Sequence, residues 1–163
     1  MQQRKSAHTV HERKRSHVRA VFLQPVESYD LAEAARLIGV PLTTLRREVQ
    51  RRDRDAVKTG DGWRLTWRQL AILAFEQWTL AEIFDALGDD AAGVLPPLLA
   101  LRTVTVRLPE YVLRALEMIA ENRGTTLDHY LYWELIDFAG SPPLDVARRI
   151  PGYRKAYLYP DQP

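Results

Sequence analysis

The chain has no cysteine. That excludes disulfides, thiolate metal sites and cysteine nucleophiles, and it suits a reducing compartment. No apolar run of signal-peptide length follows the basic, polar N-terminus, and no stretch reaches about 18 uninterrupted apolar residues, so neither a leader nor a transmembrane helix is expected. Histidine is scarce. Three of the four, His8, His11 and His17, lie near the N-terminus, and "HTVH" has Glu12 as its sole further candidate ligand, so no metal site is expected. There is no glycine-rich phosphate loop after a strand, no serine elbow and no paired-carboxylate cleft. With His129 read as structural or phosphate-facing, the expectation is a chain without catalytic residues or cofactors.

What is present is enough apolar material to fold: 46% of 163 residues are hydrophobic. The formal charge of +2 is unevenly spread. Residues 1–28 hold six basic and two acidic side chains, residues 29–65 eight and six, and residues 66–101 one and five. The front of the chain is basic and the middle acidic. A tract such as "HERKRSH" has the charge pattern of a nucleic-acid arm, and a solvated tail has the same pattern. Residues 1–27 show no apolar periodicity and read as a flexible basic arm, with "AVFLQPV" as a short ordered lead-in.

The first compact unit is expected over residues 28–100. Asp30 can cap a helix beginning at Leu31, with Glu33 at the third position giving a capping-box-like arrangement and Ala34, Ala35 and Ile38 forming the buried stripe. Gly39 is the turn residue. Pro41 suits the first position of a second helix, whose apolar face is Leu42, Leu45 and Val49. Thr43, Thr44, Arg46, Arg47, Gln50 and Arg51 point away from that face, and they are residue types that reach base edges and phosphates from a helix in a major groove. "AVKTGDGWRL" then reads as a hairpin with Gly60 and Gly62 permitting positive φ at its tip, from which Lys58 and Arg64 would project.

These elements resemble the winged helix-turn-helix of the MerR and excisionase families. The matching stretches are "LAEAARLIGVPLTTLRREV", "AVKTGDGWRLT" and, more loosely, "WTLAEIFDALG", together covering residues 29–88. The resemblance implies a recognition helix at Thr43–Arg51 and a wing carrying Lys58 and Arg64. The chain departs from the pattern at Pro41, where these families commonly have a capping serine.

Thr66 can cap "WRQLAILAFEQW" and Thr79 "LAEIFDALG", while Pro96 and Pro97 interrupt "AAGVLPPLLAL". Trp63, Trp67, Phe75, Trp78 and Phe84 read as packing residues, and the acidic balance argues against this segment touching DNA.

The stretch "LRTVTVRLPEYVLRALEMIAENRGTTLDHYLYWEL" changes period partway. Val104, Val106 and Leu108 alternate with Thr103, Thr105 and Arg107, as in a half-buried strand. After Pro109 a helix carries the stripe Val112, Leu113, Leu116, Ile119 and Ala120. Gly124 ends it, and Thr126 caps a second helix with Leu127, Tyr130, Leu131, Leu135 and Phe138 on its buried side. The strand has no mate in the same chain, and a second copy would supply one. The order resembles the ribbon-helix-helix family over residues 101–139. That resemblance implies a homodimer with Val104, Val106, Leu108, Leu113, Leu116, Leu131 and Leu135 in its core. It further implies that Thr103, Thr105 and Arg107 face bases and that the amides at Thr126 and Leu127 hold a phosphate. Service as a dimerisation device alone is the other reading of this unit.

Residues 141–163 are broken by proline, with a helical turn or two in "LDVARRI" and then an extended "YRKAYLYP". Tyr153, Tyr157 and Tyr159 with Arg154 and Lys155 fit a strap on the dimer, a DNA arm or a protein-binding tail. The expectation is therefore a mainly α fold with short β elements: arm 1–27, winged unit 28–100, ribbon-helix-helix 101–140 and tail 141–163. Its expected partners are double-stranded DNA and a second copy of itself, its role that of a transcriptional repressor or autoregulator, and its location the cytoplasmic nucleoid. The rival readings are an antitoxin whose tail binds a toxin, and a plasmid-partition or nucleoid architectural factor.

Overall fold

The computed structural model describes residues 2–140, 142–153 and 156, with the backbone alone for residues 2–11. The chain is mainly helical with one small antiparallel sheet. Helix α1 (Gln2–Leu23) leads into strand β1 (Ser28–Asp30), then α2 (Leu31–Ile38), α3 (Leu42–Arg51), the hairpin β2 (Val57–Thr59) and β3 (Gly62–Thr66), α4 (Trp67–Gln77) and α5 (Leu80–Leu87). A short α6 (Ala91–Val94) and a 3-10 turn at Pro97–Leu99 follow. Residues 101–109 carry no regular structure before α7 (Glu110–Asn122), α8 (Leu127–Ala139) and α9 (Leu144–Arg149).

Local chemistry sets most of these boundaries. Asp30 Oδ1 accepts from the Glu33 amide at 2.8 Å, and Gly39 closes α2 in the left-handed region at φ 81°. Complete capping boxes open α4 and α5: Thr66 with Gln69, and Thr79 with Glu82. Pro41 stands one residue earlier than expected, as the N-cap of α3 with no side-chain bond. At the hairpin tip only Gly62 takes a positive φ, 130°.

Helix α1 overturns the expected flexible arm. Val18, Val21 and Phe22 are buried in the same core as Leu45, Leu65, Leu70, Ile83 and Leu87. The Trp67 indole N–H donates to the Val21 carbonyl at 2.8 Å inside that core, and Phe22 meets Phe75 edge to face. Strand β1 is a second unexpected element. It pairs with β3, Tyr29 opposite Leu65, so the sheet has the order β1-β3-β2. The uneven charge is explained in part by this packing, since basic residues from the front of the chain meet acids of the middle: Lys14 with Glu82, Arg19 with Asp90, and Arg54 with Glu76. Trp67 and Trp78 are buried, and Trp63, Phe75 and Phe84 pack against the core from its edge.

The C-terminal helices are different in kind. In α7 only Ala120 is buried, and α8 and α9 bury no residue. Gly124 is left-handed at φ 67°, and Thr126 caps α8 by accepting from the His129 amide. Arg123 bridges to Glu134 at 2.8 Å, and the Tyr132 hydroxyl accepts from the Leu80 amide at 3.1 Å, tying α8 to the start of α5. The expected strand over residues 101–108 is not formed among the described residues. An extended segment becomes a strand only when a ladder partner takes its backbone groups, and the described residues offer it none.

Candidate nucleic-acid interface

The α2–α3 pair is held by a tight turn. Gly39 and Val40 both donate to the Ala35 carbonyl, and Leu45 and Val49 bury one side of α3. This fixes what the other side shows. Thr43, Arg46, Arg47, Gln50 and Arg51 are exposed and Thr44 is half-buried. Arg46, Arg47 and Arg51 have no acidic partner among the described residues. Glu48, the one acid in α3, turns toward the end of the helix and binds Arg54, which also reaches Glu76 of α4 at 2.7 Å. The acid of the helix is thereby neutralised, and its free face is cationic with amide and hydroxyl groups between the charges.

Arg52, not among the residues expected from the sequence, is a further exposed cation at the C-cap of α3. It is exposed and holds a left-handed conformation at φ 62°, a conformation that costs a non-glycine residue on the order of 1 kcal/mol. Its amide closes α3 by donating to Val49, and its side chain lies beside that of Arg51 in sequence. The signal in the sequence is the unbroken pair Arg51–Arg52 at the end of the helix.

The hairpin contributes less than expected. Lys58 is exposed, with its ammonium 5.9 Å from the Trp63 ring centroid, and remains available on the exposed strand β2. Arg64 does not project. Its Nε donates to Ser28 Oγ at 2.9 Å and its Nη2 to the Ser28 carbonyl at 3.0 Å, so it clamps β1 to β3. Nothing in the sequence announces this clamp, because β1 itself was not expected.

In the C-terminal unit, Thr103, Thr105 and Arg107 are exposed, but so are four of the seven residues expected in the core. Val104 is 79% exposed, Val106 66%, Leu108 44% and Leu135 61%. Leu113, Leu116 and Leu131 are half-buried. Thr126 is engaged as a cap, and His129 sits between Thr125 Oγ1, at 3.0 Å, and the Trp133 indole, at 3.2 Å. Of the C-terminal tyrosines only Tyr153 is described, donating to the Gly140 carbonyl at 2.9 Å in helical rather than extended backbone. Arg154, Lys155, Tyr157 and Tyr159 lie outside the described residues.

Among the described residues no group of three or more acids and histidines is placed to hold a metal, and no helix is long and apolar enough to cross a membrane. Neither a family model nor a curated protein nor a solved structure matches the chain.

Proposed function

We propose that the chain is a homodimeric, sequence-specific DNA-binding protein that acts on the nucleoid as a transcriptional repressor or autoregulator. In this reading residues 29–88 work as a winged helix-turn-helix and residues 101–139 as a ribbon-helix-helix. The observation that carries it is the free face of α3, where Arg46, Arg47 and Arg51 stand exposed without acids while Thr43 and Gln50 lie between them. Arginines in this setting reach phosphates and guanine edges, and the polar side chains discriminate among bases.

The dimer rests on a separate observation. Val104, Val106 and Leu108 alternate along a segment whose backbone lacks a ladder partner, and the helices after it leave Met118, Leu135 and Phe138 open to solvent. Pairing two copies antiparallel through residues 101–108 satisfies the backbone and covers the valines in one step. The polar face, Thr103, Thr105 and Arg107, would then be presented from a ribbon of a width that a major groove admits. Two modules on a shared axis call for a palindromic or repeated site. Genome-wide mapping of bound sites, followed by titration of a mapped site against random duplex, tests this reading. Equal affinity for both would replace it with an architectural role.

A second reading concerns protein partners. Phe138 is 89% and Leu144 74% exposed at the C-terminal end, apolar surface of the kind a bound protein covers. An antitoxin would present such a tail to its toxin, and a stable complex with the product of an adjacent toxin gene is the corresponding test.

A further inference from the structure

Helix α3 is held unevenly. Its buried residues, Leu45 and Val49, enter the common core, and its backbone packs closely on α2 but much less on α4. Past Val49 no residue of the helix is buried. Gln50, Arg51 and Arg52 are exposed, and Arg52 turns left-handed as the chain leaves for the hairpin. The Arg52 and Asp53 amides donate to the Val49 and Glu48 carbonyls, which closes the helix locally but ties it to no other element.

Arg54 supplies that tie. It is half-buried in a run where Arg51, Arg52, Asp53 and Asp55 are all exposed. Its Nε donates to Glu48 Oε2 on α3, and its Nη2 lies 2.7 Å from Glu76 Oε2 in the last turn of α4. Two nitrogens of one planar group thus join two helices. Arg54 and Glu76 also line, with Leu65, Gln69 and Leu73, a cavity of about 180 Å³, so open space rather than close apolar packing separates the segment after α3 from α4. Ion pairs on an open surface contribute little, but a half-buried guanidinium that takes two carboxylates through separate nitrogens has its geometry fixed by both. Glu48 lies next to Arg47 and one helical turn before Arg51, so a shift at the bridge moves the cationic face. Reading a base edge demands placement to roughly 0.5 Å, whereas long cations on a looser helix still find phosphates.

We propose that Arg54 is a positioning residue for base recognition: by bridging Glu48 and Glu76 it fixes the C-terminal half of α3 against α4, without touching DNA itself. The inference rests on the DNA-binding reading above and adds to it a determinant of specificity that lies outside the groove-facing side chains. Its signature is a loss of preference with general affinity kept, which neither a phosphate contact nor a charge effect produces.

The test is a titration of the full chain on a mapped site and on random duplex, paired with amide exchange of the free protein. Glu76→Ala removes the α4 end of the bridge and also a negative charge, which by electrostatics alone would tighten binding to any duplex. It should instead lose roughly 10-fold on the mapped site, the order of one base contact, and hold or gain on random duplex. Arg54→Lys keeps the charge but offers one nitrogen in place of two, and it should show the same selective loss. Glu117→Ala, which removes an acid of α7 paired with Arg114, should leave the ratio of the two affinities unchanged. Without DNA, the Arg52 and Asp53 amides should exchange faster in both bridge variants than in wild type. Thermal melting checks the folding of both, and either folded variant suffices for the comparison. A wild-type affinity ratio in a folded bridge variant, or unchanged exchange at Arg52 and Asp53, would overturn the assignment. So would equally tighter binding of Glu76→Ala to both duplexes, since the acid would then act through charge alone, or an equal loss on both in Arg54→Lys, since the guanidinium would then hold a phosphate. A wild-type chain that binds neither duplex ends the DNA reading and this role with it, a failure told apart because the unaltered protein shares it.

Discussion

Replacing Val106 by proline should convert a dimer into a monomer, and the magnitude can be worked from the structure. Val106 is 66% exposed in the single chain, so pairing has most of a valine side chain left to bury. Full burial of such a side chain stabilises by about 1.5 to 3 kcal/mol, of which roughly 1 to 2 remains available here, and a two-fold dimer gains it twice. Proline also removes a backbone donor from each strand, and each lost ladder bond costs about 1 kcal/mol. Together these weaken association by about 4 kcal/mol or more, which is on the order of a thousandfold in dissociation constant. The fold of each protomer should be unaffected, because residues 101–108 contribute nothing to the buried core. Sedimentation at micromolar concentration is the assay. A wild-type monomer, or a Val106→Pro protein that dimerises as wild type does, would refute the ribbon.

Three further outcomes are expected. Phe22→Ala should cost about 3 to 5 kcal/mol in denaturant unfolding, as a large buried side chain does, whereas a flexible arm would lose nothing. The Glu82 carboxyl is pushed up by burial but held lower, on balance, by Lys14 and by the Thr79 amide, so its folded value lies below the usual carboxylate range. A depressed carboxylate stabilises above its unfolded pKa and loses that contribution as pH falls through the folded value. Thermal stability should therefore drop in acid through the Lys14–Glu82 contact, and less steeply in Glu82→Gln. Arg107→Ala should keep the dimer yet lose roughly 1 to 3 kcal/mol per contact in DNA titration; unchanged affinity would leave the ribbon as a dimerisation device.

What could be read from the sequence was whatever short-range chemistry dictates. Asp30, Thr66, Thr79 and Thr126 each accept from the amide three residues on, Gly39 makes the expected turn, and Gly124 takes the left-handed conformation expected at the end of α7. The α3 face followed from the spacing of Leu45 and Val49. What escaped depends on distant partners. In α1 Val18, Val21 and Phe22 are buried within a long charged sequence that shows no apolar periodicity to announce them. Strand β1 is three residues long and its mate lies 36 positions away, as the Arg64–Ser28 bond shows. Arg64 and Arg46 look alike in sequence, and only that bond separates a clamp from a free cation. Residues 101–108 have the alternation of a strand, but a strand needs a second edge.

The recognition face is tested most directly by measuring Arg46→Ala and Arg47→Ala against wild type on a mapped site and on random duplex. Both side chains are exposed and contribute nothing to the core, so folding should be unchanged. The account predicts a loss of about 1 to 3 kcal/mol for each. An arginine that reads a base should lose preference at one position, and one that holds a phosphate should weaken all sequences alike. Wild-type affinity and salt slope in both variants would contradict it, because the free face of α3 would then not be the DNA reader.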